Sequence, residues 1–290
     1  MLKIGCHVSA AGGVWNAPKN ARALGCETFQ IFTRPPQGGH APELASKVIK
    51  RFQDEMRKYK FSEFVVHCPY FINFGSSNNR IYYGSIAVVK QELERANLLG
   101  AKYVIAHLGS AKDVGMKTAI KQAQIGLKKI LDEYKGKTQF LIEISAGAGE
   151  IIGDTFEELA EIMQPLEKFK TFGGICFDTQ HAWASGYDIT KPEEVLRKFN
   201  KIIGLKWLKV IHINDSKSEL GSHKDQHTHI GEGRIGEEGL GAFLGYLFKT
   251  PSFQKRGKGE FFLILETEYD KVKEDIKILK SLRNKIHPVK

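Results

Sequence analysis

The stretch FLIEISAGAGEIIGDTFEELAEIMQPLEKFKTFGGICFD, from Phe140 to Asp178, carries the pattern from which the fold can be read. It begins with a short apolar run, Phe140 to Ile144, broken near its end by one carboxylate, Glu143. After a glycine-rich turn, Asp154-Thr155 marks a helix start, because a short polar side chain can accept the first free backbone N–H groups. The stretch closes on a second apolar run, Gly174 to Asp178, again ending on an acid. Strand, helix and strand in this order form a βα unit of a parallel sheet.

The same unit recurs along the chain. Apolar runs rich in β-branched and aromatic residues lie at Lys3 to Val8, Glu27 to Phe32, Phe64 to His67, Tyr103 to His107, Val210 to Asn214 and Phe262 to Glu266. Between the runs, Pro42 to Lys60, Ile86 to Leu99, Thr118 to Tyr134, Pro192 to Ile203 and Lys271 to Lys285 space apolar residues three or four apart, with Lys and Glu opposite. Thr190-Lys191-Pro192 places a hydroxyl and a proline at one of these helix starts. Eight strands alternating with helices in 290 residues predict an α/β fold, a single (β/α)8 TIM barrel spanning residues 1–290.

Such a barrel builds its site at the carboxyl ends of its strands. His67, His107, Glu143, Asp178, His212 and Glu266 each close, or nearly close, an apolar run. One such residue alone reads best as a hydrogen-bonded rim residue; six converging on one mouth read as a metal site. His181 follows Asp178 within the segment Asp178-Thr179-Gln180-His181, and Asp225-Gln226-His227 adds a carboxylate and an imidazole two residues apart. In an extended segment those two share a side. Five imidazoles and four carboxylates exceed what one ion needs and suit three, with zinc favoured by the imidazole-rich set and Mn2+ an alternative at one site. Three divalent ions and four carboxylates leave about two positive charges, a docking site for a phosphodiester and hydroxide.

Composition agrees. Lys and Arg outnumber Asp and Glu by 43 to 33, a net charge of +10, which draws in polyanions and makes their binding salt-dependent. No apolar run approaches the roughly 18 residues a membrane span requires, and the first residues are too short and interrupted for a signal peptide. Cys6, Cys26, Cys68 and Cys176 form no C-x-x-C pair, which suggests a reducing cytoplasm; Cys176 reads as core packing. His7, His40, His223, His229 and His287 are left unassigned.

With these residues laid out, the chain resembles the endonuclease IV family of apurinic/apyrimidinic endonucleases from its first strand to its last. The resemblance rests on HVSAAGG (His7 to Gly13), HCPYFIN (His67 to Asn73), HLGS (His107 to Ser110) and FDTQHAWASGYD (Phe177 to Asp188). It continues through HINDSK (His212 to Lys217), GSHKDQHTHIGEG (Gly221 to Gly233) and LILET (Leu263 to Thr267). It implies that His67 and His107 bind one zinc with Glu143, which bridges to a second held by Asp178, His212 and Glu266. It assigns a third zinc to His181, Asp225 and His227. It further implies double-stranded DNA with abasic sites as the partner, and hydrolysis of the phosphodiester 5′ to the lesion. The products would be a 3′-hydroxyl and a 5′ deoxyribose phosphate, with cleaning of blocked 3′ ends as a related activity. Glu143 is the expected catalytic carboxylate, and a monomer the expected state.

Tyr70 and Phe71 match the position where the family wedges into the base stack, Phe71 being the more structural of the two. The loop after the second strand departs from the family: Gln37 stands where an arginine is usual, which leaves Arg34 as a substitute DNA contact. Ile144-Ser145 replaces the commoner Asn-Thr after Glu143, beside the bridging ligand. The chief competing reading is a metal-dependent sugar isomerase or epimerase on a similar barrel, which has no use for a third metal group; a non-catalytic protein that binds lesions or stores metal is another.

Overall fold

The structure, a computed structural model, describes residues 2–251 and 261–286, and His287 lies outside the described residues. Strands β1 (Leu2–His7), β2 (Thr28–Ile31), β3 (Val65–His67), β4 (Tyr103–Ala106), β5 (Gln139–Glu143), β6 (Phe172–Asp178) and β7 (Leu208–His212) lie where the apolar runs predict them. Two short strands, β8 (Asp215–Ser216) and β9 (His227–Thr228), precede β10 (Phe261–Leu265). β1 to β7 and β10 pair in parallel and close in the order β1-β10-β7-β6-β5-β4-β3-β2, so the expected barrel is present. β8 and β9 form an antiparallel pair outside it, where the sequence suggests only an extended loop.

Helices α1 (Ala17–Leu24), α2 (Ser46–Lys58), α3 (Asn79–Leu99), α4 (Met116–Glu133), α5 (Phe156–Met163), α6 (Thr179–Ala184), α7 (Pro192–Ile202), α8 (Gly236–Lys249) and α9 (Val272–Ile286) lie between and after the strands. Thr155 caps α5 as expected, accepting from the Glu158 amide. At α7 the proline sits in the first turn, but Thr190 does not cap; its hydroxyl donates to Asp188 instead. α3 starts ahead of the expected Ile86 because Asn78 supplies its cap. α2 starts later than Pro42, at Ser46. α8 has no counterpart among the predicted helices: Gly236, Gly239, Gly241 and Gly245 dilute its apolar stripe, and burial of Leu240, Phe243, Leu244 and Leu247 overrides their low helix propensity.

The core has two layers, as strand pleating requires. Val65, Tyr103, Ile105, Leu141, Cys176, Val210, Phe262 and Ile264 fill the barrel interior, while the alternate residues, such as Val66, Val104 and Ile142, pack outward against the helices. Close strand approach makes two glycines obligatory. A Cβ on Gly5 would stand 1.9 Å from the Thr28 carbonyl oxygen; one on Gly174, whose φ is +129°, would stand 2.1 Å from that of Trp207.

The last helix seals the seam between the ends of the barrel. Arg283 of α9 donates to both carboxylate oxygens of Glu27 and to the Leu2 carbonyl. Burial raises the Glu27 pKa, but the Arg283 bonds and the Ile4 amide outweigh it, so the group titrates below its ordinary value. A depressed carboxylate contributes stability above its unfolded-state pKa and loses it as pH falls through the folded value. Arg283→Met is therefore expected to cost about 1–2 kcal/mol at pH 7, reduced from a fully buried pair because both groups are partly exposed. Urea unfolding should show that difference shrinking once Glu27 is protonated; an equal cost at pH 7 and below the folded pKa would refute the electrostatic origin.

Candidate metal centre at the barrel mouth

The alternation that fills the barrel also builds its mouth. Two residues beyond Val65, Ile105, Leu141, Cys176, Val210 and Ile264, all interior, stand His67, His107, Glu143, Asp178, His212 and Glu266. The six residues picked from the strand ends thus form the next inward layer. Glu143, Asp178 and His212 are fully buried at the floor, His67 nearly so, and His107 and Glu266 are partly open.

Glu143 lies at the centre. Its Oε2 is 2.9 Å from His67 Nε2 and 3.5 Å from His107 Nε2; its Oε1 is 2.8 Å from His212 Nδ1 and 3.4 Å from His181 Nδ1. His212 Nδ1 is also 3.1 Å from Glu266 and 3.9 Å from Asp178. Among the described residues, four groups have ligand atoms within 4.8 Å of one another: His67, His107 and Glu143; Glu143, Asp178, His212 and Glu266; Asp178, His181 and His227; and Glu143, Cys176 and His212. Asp225, more than half exposed, sits 3.4 Å from His181 Nε2 and 3.3 Å from His227 Nε2, so it joins the third group from the solvent side.

The outer ring nitrogens reveal what the inner ones can accept. His67 Nδ1 lies 2.6 Å from the Cys68 carbonyl, His181 Nδ1 3.0 Å from that of Ile144, and His212 Nε2 2.9 Å from Gln30 Oε1. Carbonyl oxygens only accept, so these nitrogens donate, and the opposite ring nitrogens, His67 Nε2, His181 Nε2 and His212 Nδ1, are turned toward the cluster. His107 Nδ1 meets Ser145 Oγ at 3.3 Å, and that hydroxyl already donates to the Ile152 carbonyl. Ile144 and Ser145, the departure after Glu143, are therefore the partners that orient His181 and His107. His67 Nε2 and His212 Nδ1 thus face carboxylate oxygens that a proton or a metal ion can share, and His181 Nε2 lies 3.3 Å from His227 Nε2. Imidazoles held by outer hydrogen bonds, with carboxylates opposite, fit divalent metal ions.

Charge agrees with geometry. Burial pushes Glu143 upward, yet His212, His107 and His181 around it hold its carboxyl well below the ordinary range. Burial lowers His107 to about 4, whereas neighbouring acidic groups raise His67, His181 and His212 despite their burial.

Several contributors escape the sequence reading. Gln30, fully buried on β2, donates to Glu266 at 2.6 Å and approaches His7 Nδ1 at 3.1 Å while accepting from His212. It closes its strand as the ligands close theirs, but glutamine is no common ligand and nothing else in the sequence singles it out. Cys176, read as core, does pack in the interior, yet its sulfur also lies within ligand distance of Glu143 and His212, and burial pushes its thiol up to about 12. Asn214 donates to Asp178 Oδ2 and accepts from the Glu266 amide. Asp215 accepts the amides of Gly231, Gly233, Ile235 and Gly236, folding the GEGRIG turn beside His227.

At the rim, Tyr70 is 66% exposed and Phe71 39%, so the expected wedge pair stands free, Phe71 the less so. Gln37 is exposed on the neighbouring loop. Arg34 does not take the expected place as a DNA contact. It is buried, with Nε 2.6 Å from Glu92 Oε1, where it compensates a carboxylate that would otherwise be a buried unpaired charge.

The family described as xylose isomerase-like TIM barrel matches residues 18–282. A probable endonuclease 4 of Halothermothrix orenii is 38% identical over 268 residues, covering 89% of this chain and 96% of the relative. The crystal structure of endonuclease IV from Thermus thermophilus superposes with a TM-score of 0.82 at 32% identity, covering 99% of this chain and 100% of that one. A D-tagatose 3-epimerase-like protein reaches a TM-score of 0.72 at 21% identity over 98% of each chain, a likeness of fold alone. Identity sustained over nearly the whole chain, on this barrel, places the protein in the endonuclease IV family.

Proposed function

We propose that the protein is a zinc-dependent apurinic/apyrimidinic endonuclease that hydrolyses the phosphodiester 5′ to an abasic site in duplex DNA, leaving a 3′-hydroxyl and a 5′ deoxyribose phosphate. The observation that carries the reading is the convergence of eight imidazole and carboxylate side chains around a ninth, Glu143, beneath a rim with exposed aromatics. Cleaning of blocked 3′ ends belongs to the same proposal, as does action as a single-domain monomer in the cytoplasm.

Three ions would be held by His67, His107 and Glu143; by Glu143, Asp178, His212 and Glu266; and by His181, Asp225 and His227, with manganese an alternative at one position. Bound there, they would supply Lewis-acid chemistry, neutralising phosphoryl oxygens and making water a competent nucleophile near neutral pH. Glu143, kept ionised, orients that water by accepting its hydrogen bond. Gln30 and the other outer partners lock the imidazole tautomers. Tyr70 and Phe71 fill the gap left by the missing base, where unstacking costs least. The net charge of +10 favours the DNA backbone generally. An epimerase on this barrel would leave the group of Asp178, His181 and His227 without work.

The deciding assay is incubation of a duplex bearing one tetrahydrofuran abasic analogue, with zinc and after chelation. A chelator-sensitive cut leaving a 3′-hydroxyl is expected, along with about three zinc ions per chain by mass spectrometry. An uncut duplex with fully metallated protein would sink the proposal. Glu143→Gln should lower kcat by at least about a thousandfold while duplex binding persists, since it removes a group used in the reaction rather than in docking; near-normal turnover would exclude the assigned role. Gln30→Ala should cost about 10–100-fold in zinc affinity or turnover, by releasing His212 and Glu266; unchanged metal titration and kinetics would show that the outer hydrogen bonds are dispensable.

A further inference from the structure

Beneath the loop that follows β2 lies a buried ionic network that the metal centre does not use. Glu92 of α3 is fully buried, and its carboxylate receives Arg34 Nε on one oxygen and the Thr33 hydroxyl on the other, each at 2.6 Å. One turn on, Arg95 donates to the Thr33 hydroxyl at 2.8 Å, to the Thr33 carbonyl at 2.6 Å and to the Pro42 carbonyl at 2.7 Å. Arg34 also donates to Gln91. One guanidinium thus ties together both ends of the excursion from Thr33 to Pro42.

Two cations around one carboxylate, out of water, are a poor source of stability: such networks are often replaced by apolar side chains at no loss. Their bonds, however, end on one place. Between the anchors, the Pro36 carbonyl accepts the Tyr70 amide at 3.0 Å, and a Cβ placed on Gly38 would stand 4.0 Å from the Phe71 ring. The loop bearing Gln37 is thus hydrogen-bonded to the segment that carries the exposed aromatic pair, and both its ends are fastened from below by α3.

We propose that Glu92 and Arg95 are positioning residues that hold this loop and the Tyr70–Phe71 rim in the shape that engages DNA, at a distance from the reacting atoms. The proposal rests on abasic duplex DNA being the substrate. It also accounts for the fate of Arg34, which is consumed in the clamp and leaves Gln37 as the polar side chain at the loop tip. A planar five-donor fork can reach Thr33 and Pro42 together, whereas an ammonium cannot.

Arg95→Met keeps length and apolar packing while removing the fork. It is expected to raise KM for an abasic duplex about tenfold while kcat changes by less than about threefold, the mark of lost docking rather than lost chemistry. Amide hydrogen exchange at residues 37–41 should quicken, with the Tm close to that of the native chain, and Arg95→Lys should restore only part of the KM. If Arg95→Met does not fold, Glu92→Gln carries the same two measurements. A native KM with unchanged exchange would overturn the clamp. Should the native protein leave abasic DNA uncut, the proposed activity fails, and hydrogen exchange still decides whether Arg95 orders the loop.

Discussion

A carboxylate fully removed from water, facing four imidazoles, is the constraint on which the rest of the mouth depends. Glu143 cannot sit uncompensated at the floor of the barrel, where isolated charge is costly. Its two oxygens divide their neighbours, His67 and His107 on one side, His181 and His212 on the other. His67, His181 and His212 commit one ring nitrogen each to a protein carbonyl and turn the other toward the cluster, an arrangement that fits a metal ion. The oxygens of Cys68, Ile144, Ser145 and Gln30 are as much a part of the site as the ligand atoms, since each fixes which nitrogen faces inward.

Most of this is legible in the sequence because a parallel barrel converts alternation directly into layers. Leu141 and Glu143, or Val210 and His212, differ by one period of the pleat, so a polar residue two places beyond an interior residue must enter the mouth. Tyr70 and Phe71 can be placed on the rim for a similar reason, as they follow a strand end. The layer of outer hydrogen-bond partners is harder to read. Gln30 obeys the same alternation, but its role is visible only once Glu266, His7 and His212, from three other strand ends, are brought around it.

Loops resist sequence reading where long-range partners decide their shape. The β8–β9 pair aligns Asp215 with Thr228 and Ser216 with His227, joining segments separated by the turn that carries Asp225. Neither strand is long enough to show a period. Arg34 reads as a DNA contact because Gln37 stands where the family has an arginine; the carboxylate that captures it lies on α3, a helix away in sequence. A charged side chain in a loop is not thereby a surface side chain, and only its partner reveals which it is.

The origin of the nine residues in the fold separates what the barrel supplies from what has been added to it. His67, His107, Glu143, Asp178, His212 and Glu266 come from strand ends, positions any barrel of this kind possesses. His181 comes from α6 and His227 from β9, with Asp225 on the turn between β8 and β9. The strands of the closed barrel supply the first six, and short elements outside those strands supply the other three. The candidate site therefore draws on segments outside the barrel strands. Their order is fixed by Asp215, whose buried carboxylate gathers the glycine-rich turn, and by Gln180, which donates to the Lys224 carbonyl beside Asp225. Buried polar side chains thus do for these elements what the hydrogen-bonded barrel does for the strands: they give a short, irregular segment one conformation, and with it a defined place for each side chain at the mouth.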